Sequence, residues 1–470
     1  MISEKMQRLK YVATDLITGG AAFFLFNGYR FSIFGERVGH TFADFVGMPK
    51  LLAEQIIIPL VLLCIYWLSG YYNHPFKKSR LQEFMTTIFS SVFATLLIFL
   101  ALLTNDLTLI VSTNYLMLVT LFGILFSLTY AGRLLVTSLT LRSMRRHRWR
   151  ESAVIVGASA EGREMAARLS GTDKFPNYAI VAFARIPGEK DAPDLQAPVV
   201  ELDALASLIA DKNVKQIFIA PEKMDDRLVL SMVNRLFPLG TTIRIAPDTL
   251  DYVTSSIHLQ DIYAEPFVDL TSPKVSEASK NIKRLIDVVF SLIALAVLAI
   301  PMAWIAVSVK RGSKGPVLYR QQRIGYRQKP FNILKFRTMR TDAEAAGPQL
   351  TSDSDSRITP VGRTLRKYRL DELPQFWNVL RGDMSIVGPR PERAFFIRQI
   401  VDKAPYYTLV HQVRPGITSW GMVKYGYASS VDEMVARTRY DLIYLSNMSI
   451  AVDFKIMIYT VKTVVTGQGK

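Results

Sequence analysis

Cysteine is almost missing from this chain: among 470 residues there is one, Cys64, beside five histidines. A lone thiol inside an apolar run excludes a disulfide framework and a thiolate zinc site. Five histidines without an HExxH pattern argue against most histidine-ligated metal chemistry. Charge is sparse as well, at 21% of residues against 50% hydrophobic and 11% aromatic, with a mean hydropathy of +0.19. That balance excludes a disordered or low-complexity chain. No short apolar stretch with a small-residue cleavage site opens the sequence, so a removable signal peptide is not expected. What remains is a membrane protein with large polar portions, of a length that suggests about three domains.

The net charge of +17 is unevenly spread. Residues 1–150 hold 15 Lys and Arg against 7 Asp and Glu, residues 151–280 hold 13 against 19, and residues 281–470 hold 29 against 14. Nucleic-acid binders show such a surplus. Here the basic residues bracket an apolar segment, which suits lipid headgroups and phosphorylated substrates rather than nucleic acid.

Four apolar runs, near 11–28, 51–72, 84–104 and 110–136, each approach the ~20 residues that carry a helix across ~30 Å of hydrocarbon. Asp15 and several glycines make the first the weakest. Lys5, Arg8 and Lys10 precede the first run, Lys77, Lys78 and Arg80 separate the second from the third, and Arg142, Arg145, Arg146, Arg148 and Arg150 follow the fourth. Basic flanks face the cytoplasm, so both ends of the bundle are expected there, against the contrary Arg30, Arg37 and Lys50. No charged constellation marks the bundle as a transporter, and it reads as an anchor or assembly platform.

Between 151 and 272 short β-rich runs (Ala153–Val156, Ile180–Phe183, Gln216–Ala220, Thr242–Ile245) alternate with helical patterns, which predicts a parallel α/β unit. Its first turn, Gly157-Ala158-Ser159-Ala160-Glu161-Gly162, is near the dinucleotide fingerprint. Ser159 replaces the glycine that lets backbone approach a pyrophosphate, and Arg185 stands where an acid would hold a ribose hydroxyl. A Rossmann-like structural or regulatory module is the expectation, with nucleotide binding the lesser reading.

Leu285 to Val309 is nearly pure hydrocarbon, interrupted by Asp287 and Pro301 and flanked by Lys283-Arg284 and Lys310-Arg311. A crossing would export the very basic remainder, against the positive-inside tendency. Proline removes a backbone donor and clashes with the preceding turn. A helix–break–helix that returns to the same face, broken at Pro301, fits both basic flanks.

The remaining residues hold a dense polar cluster. Pro316–Met339 reads as strands and turns with Arg320, Arg323, Arg327, Lys335 and Arg337. More cations from Arg363 to Arg369 lead into Leu370-Asp371-Glu372-Leu373-Pro374-Gln375, where Pro374 suits the first turn of a helix ending near Leu380. Adjacent carboxylates among cations at a helix start can stay ionised. One can attack phosphorus while the other holds Mg²⁺; a capped helix with solvated carboxylates explains the same residues equally well. In Gly388-Pro389-Arg390-Pro391, Arg390 is fixed between two prolines and presents a planar fork suited to phosphate. Val452–Thr466 reads as an interfacial amphipathic helix or as core packing.

Lys335-Phe336-Arg337-Thr338-Met339, Asp355-Ser356-Arg357-Ile358-Thr359 with Gly362, Leu370–Gln375 with Asn378-Val379-Leu380, and Gly382–Pro391 occur in that order. Together they resemble the bacterial sugar transferase family, the monotopic polyprenyl-phosphate hexose-1-phosphate (phosphoglycosyl) transferases, over roughly 280–470. The resemblance implies a four-helix transmembrane bundle (1–146), a degenerate Rossmann-like α/β domain (147–272), and an α/β catalytic domain with a re-entrant membrane helix at about 283–310 (273–470). It further implies transfer of hexose 1-phosphate from a UDP-sugar to undecaprenyl phosphate. Asp371 would form an aspartyl phosphosugar and expel UMP, and Glu372 would hold Mg²⁺. Lys335, Arg337, Arg390 and Asp441 would bind substrate or phosphate. Such members begin exopolysaccharide, capsule or O-antigen units at a bacterial inner membrane, with the catalytic domain cytoplasmic, and a homodimer is expected. Ser419 and Met448 depart from the family pattern in the region associated with sugar choice. Two rivals are a non-catalytic assembly or sensor protein and a metal-dependent glycosyltransferase that uses Asp353-Ser354-Asp355 and releases UDP.

Overall fold

The structure is a computed structural model that describes residues 4–38, 41–76, 78, 80–106, 111–146, 150–170, 178–223, 225–246, 267–273, 275–343, 347, 349, 355–426 and 428–466. Lys77, Arg148, Asp353 and Ser354, invoked above, lie outside the described residues. The chain divides into two compact units, residues 1–149 with 276–282, and residues 150–275 with 283–470.

In the first unit, α1 (Glu4–Val38), the one-turn α2 (Phe42–Val46), α3 (Pro49–Leu68), α4 (Arg80–Asp106) and α5 (Val111–Arg146) form a bundle. Four of these helices are long and apolar enough to cross a membrane. They outrun the apolar stretches of the sequence at several ends, because polar residues such as Glu83 and Gln7 continue the turns once they have partners. Tyr11, Phe23, Phe26, Leu62, Tyr66, Leu121 and Leu125 fill the centre. Phe24, Phe89, Phe93, Leu116 and Leu139 point outward and are exposed, as lipid-facing side chains would be.

The bundle centre also holds charge, which linear reading of the sequence missed. Asp15 and Arg133 are fully buried, with Arg133 Nε and Nη2 donating to the two carboxylate oxygens at 2.9 and 2.8 Å. Arg133 Nη1 reaches Thr87 Oγ1 at 3.0 Å, and the Tyr72 hydroxyl donates to Asp15 Oδ2 at 2.8 Å. Glu83 accepts from Tyr71 and Thr137. Asp15 is therefore the partner of a cation 118 residues away and does not interrupt a span.

In the second unit, β1 (Glu151–Val156), α6 (Ala160–Ser170), β2 (Tyr178–Arg185), β3 (Val199–Glu201), α7 (Leu205–Lys212), β4 (Gln216–Ile219), α8 (Asp226–Leu236), β5 (Thr242–Ile245) and β6 (Val268–Asp269) build a six-stranded sheet. The order is β3-β2-β1-β4-β5-β6, parallel except for the final antiparallel strand. Fully buried Val154, Val156, Ile217 and Ile219 on one face and Ile155 and Phe218 on the other show both faces covered, as parallel strands require. β3 and β6, three and two residues long, carry too little pattern to be found in sequence.

The long apolar segment is two helices, α9 (Glu277–Val297) and α10 (Ala299–Gly312), bent by 62°. The break falls at Leu298, three residues before the expected Pro301, which lies in the first turn of α10. A proline ring clashes with the carbonyl four residues back, here that of Val297, so the helix ends there and proline begins the next one. After α10 come the hairpin β7 (Leu318–Ile324) and β8 (Pro330–Phe336), α11 (Pro360–Lys367), α12 (Gln375–Arg381), β9 (Ser385–Val387), α13 (Ala394–Lys403), β10 (Gly416–Thr418), α14 (Trp420–Lys424), α15 (Val431–Ser446) and α16 (Ile450–Val465).

Candidate active site

The end of α11 does not run on into α12. Arg369 takes a left-handed conformation, φ 52° and ψ 23°, and a single 3₁₀ turn over Leu370–Glu372 follows. Pro374 then caps α12. Asp371 and Glu372 lie on that turn and are 8% and 3% exposed. Asn378 fastens α12 to the edge of β8: its Oδ1 accepts from Leu334 N at 3.0 Å and its Nδ2 donates to Asn332 O at 2.8 Å. This zip brings Lys335, the next residue of β8, to Glu372, with Nζ 2.8 Å from Oε1. Arg390 adds both terminal nitrogens at 3.4 Å from the same oxygen, and Arg369 Nη1 lies 4.0 Å from Oε2.

The two carboxylates are driven apart electrostatically. Burial pushes Asp371 up to about 6, with Lys335 working against it and the adjacent Glu372 charge reinforcing it. Burial opposes charge on Glu372 too, but Lys335, Arg390 and Arg369 together overcome it and hold that carboxyl well below its usual range. Neighbouring acids with opposed shifts are a pattern of catalytic sites.

Arg390 owes its place to two back-to-back turns. A side chain on Gly388 would meet Arg414 O at 2.3 Å and one on Gly416 would meet Gly388 N at 2.2 Å, so neither position admits a Cβ. That contact unites the Gly-Pro-Arg-Pro and Pro-Gly-Ile-Thr segments through the β9–β10 pair. Asp441 is hydrogen-bonded at this pair of turns and not to Asp371 or Glu372. It accepts from Gly421 N at 3.0 Å and from the Ser419 hydroxyl and the Arg390 backbone. Burial pushes it up to about 6. Asp441 thus holds the turn that presents Arg390. Ser419 is wholly buried as the cap of α14, and Met448 packs on the adjoining core.

Among the described residues Arg337 has no hydrogen bond or ion pair with the two carboxylates. It leaves β8 and donates from Nη2 to Ser313 O at 2.7 Å and Ser313 Oγ at 2.9 Å, bracing the end of α10. Lys283 and Arg284, the basic flank before the apolar segment, fasten α9 to neighbouring elements. Lys283 pairs with Asp453 at 2.6 Å, and Arg284 donates to the carbonyls of Val379 and Leu380 at the C-terminus of α12. Asp287 accepts from Ile386 N at 3.0 Å, which accounts for a charge inside an apolar run.

Sequence reading missed a second buried network. Glu392 bridges Arg323 at 3.2 Å and Arg437 at 2.5 Å, and Arg323 also donates to Pro391 O. Behind the same turn sits His411, 4% exposed, with Nδ1 unpartnered. The Arg323–Glu392–Arg437 network left no signal in the sequence, since its three members are widely separated in the chain.

Among the described residues, no three His, Cys, Asp or Glu side chains could hold a metal by themselves. Two adjacent carboxylates do suit Mg²⁺ held by one or two acids and completed by substrate phosphates and water. In the rival triplet Asp355 is committed to Arg357, accepting from Nε at 2.9 and 3.1 Å and from Nη2 at 2.6 Å.

At the fingerprint turn of the α/β sheet the polar groups are engaged by the chain itself. Gly157, at φ +125°, would place a Cβ 2.0 Å from Ala220 O, so this glycine serves strand packing. Ser159 Oγ donates to Glu161, Ala192 N donates to Ala158 O at 2.7 Å, and Arg185 is paired with Asp191 and Glu201. The chain's own segment covers the turn.

Comparison with known proteins gives two family matches, Bacterial sugar transferase over residues 278–467 and CoA-binding domain over residues 68–247. A UDP-N-acetylgalactosamine-undecaprenyl-phosphate N-acetylgalactosaminephosphotransferase of Aeromonas hydrophila is 43% identical over 188 residues, 40% of this chain and 44% of that protein. The UDP-glucose:undecaprenyl-phosphate glucose-1-phosphate transferase of Escherichia coli K12 is 34% identical over 55% of this chain and 56% of that protein. The enzyme of the same name from Caulobacter vibrioides is 39% identical over 39% of this chain and 70% of that protein. The chain thus spans about half the length of the first two relatives.

Proposed function

The chain belongs to the bacterial sugar transferase family, and from that premise we propose that it moves a hexose 1-phosphate from a UDP-sugar to undecaprenyl phosphate. The observation that carries the reading is the buried Asp371–Glu372 turn, with opposed acidities, encircled by Lys335, Arg369 and Arg390.

At neutral pH Asp371 is mostly ionised, yet burial leaves it poorly solvated, as a nucleophile should be. An oxygen of Asp371 attacks the β-phosphorus of the donor. The bond from that phosphorus to the bridging oxygen breaks, and UMP leaves with the electron pair. An aspartyl phosphosugar remains. The phosphate oxygen of undecaprenyl phosphate then attacks the same phosphorus and releases the Asp371 carboxylate, which yields undecaprenyl-diphosphate-sugar. Lys335 and Arg390 offset the charge of the transferring phosphoryl group. Glu372, with the donor phosphates, would hold Mg²⁺, which when bound neutralises phosphate charge.

The bent α9–α10 pair supports a re-entrant hairpin that brings this site to the lipid phosphate, on the cytoplasmic face of a bacterial inner membrane. Opening of a polysaccharide repeat unit, and assembly as a homodimer, complete the reading. The test uses purified protein in nanodiscs with Mg²⁺, undecaprenyl phosphate and a panel of UDP-hexoses. UMP released from one donor and lost in Asp371→Asn is the expected result. Release of UDP would move the chemistry to glycosyl transfer, and full activity of the Asn variant would overturn the role of Asp371.

A further inference from the structure

Arg369 is one of six non-glycine residues at positive φ among the described residues, and the one beside the carboxylate pair. Its conformation, φ 52° and ψ 23°, is strained for a side chain with a Cβ and easy for glycine. It is nonetheless occupied by a large cation, 8% exposed. Strain kept at such a place points from the outlier toward a role.

The backbone explains why the left-handed step exists. Arg369 N donates to Arg366 O at 3.1 Å and its own carbonyl accepts from Glu372 N at 3.2 Å, so this residue turns the chain from α11 into the dyad. Glycine would serve that purpose with less strain. The side chain makes the difference. Lys335 and Arg390 both take Oε1 of Glu372, whereas Arg369 reaches toward Oε2, with Nη1 at 4.0 Å. That separation is an ion contact and not a hydrogen bond. The carboxylate is thereby held by charge on both of its oxygens.

We infer that Arg369 is a positioning residue, whose guanidinium on a strained left-handed turn orients the Glu372 carboxylate for the transfer step. This rests on the phosphoglycosyl-transfer reading above. Orientation of an acid that acts during phosphoryl transfer affects turnover more than donor binding.

Arg369→Gly removes the guanidinium and the strain together. Loss of the Glu372 contact and relief of the strain act in opposite directions on stability, so its melting midpoint in detergent should stay within about five degrees of that of the parent protein, while kcat for UMP release falls roughly tenfold or more and KM for the UDP-sugar stays within a factor of about two. Arg369→Lys, which keeps a positive charge and the strain, should recover part of kcat without raising the midpoint. An Arg369→Gly protein with the parent kcat overturns the inference. So does a loss of kcat matched by a loss of folded protein, with no rescue by lysine. If the glycine variant does not fold, Arg369→Asn, which tolerates the left-handed region, decides by the same two measurements. Absence of nucleotide release from the parent protein on every donor would instead overturn the parent reading and this inference with it.

Discussion

Replacing Lys335 by methionine tests how the acidic turn is held. The ammonium lies 2.8 Å from Glu372 Oε1, and the two side chains are 17% and 4% exposed. At an effective dielectric near 20, unit charges at that distance attract by about 6 kcal/mol. By the same rule Arg390 at 3.4 Å and Arg369 at 4.0 Å supply about 5 and about 4 kcal/mol. Two cations therefore survive the substitution. The cost should fall at the low end of the roughly 3–5 kcal/mol seen when one partner of a buried pair is removed. Thermal melting in detergent should show Lys335→Met several degrees less stable than the parent. Adding Glu372→Gln takes the shared carboxylate from Arg390 and Arg369 as well, so the double variant should be less stable than the single one and inactive in nucleotide release. If Lys335→Met melts like the parent, or the double variant is as stable as the single one, the charge-based account of this turn is wrong.

Two further outcomes follow from buried groups elsewhere. Arg133→Leu strands Asp15 inside the bundle and should cost roughly 3–5 kcal/mol, read as a lowered melting midpoint; Asp15→Leu with Arg133→Leu should be milder than either alone, and equal losses for all three would refute the pairing. Burial depresses His411 to about 4 from 6.5, so its contribution is fully present above pH ~6.5 and is lost as pH falls toward about 4, a total of about 3 kcal/mol. His411→Phe should accordingly lose less stability than the parent between pH 7.5 and 4.5. Asp371 and Asp441 titrate in both proteins and cancel in the comparison, so identical pH slopes would refute the buried neutral histidine.

Elements ruled by local periodicity were legible in the chain. Four apolar stretches became four long helices, alternating β-rich runs became a parallel sheet, and the hydrocarbon segment with an internal proline became a bent pair. These signals survive in one dimension because they depend on residue spacing and on the missing N–H of proline. The break shifted to Leu298 because a proline disrupts the carbonyl four residues before it and not its own position. The clustering of Asp371 and Glu372 with nearby cations was likewise visible. Only the fold decided which cations serve: β8 and Asn378 bring in Lys335, two glycine contacts bring in Arg390, and a left-handed turn brings in Arg369, while Arg337 is diverted to Ser313. The pairing of Asp15 with Arg133, of Glu392 with Arg323 and Arg437, and of Asp287 with a backbone amide belongs to tertiary structure alone. A charge within the sequence shows that it must find a partner if buried, whereas the identity of that partner is set by which helices and strands meet.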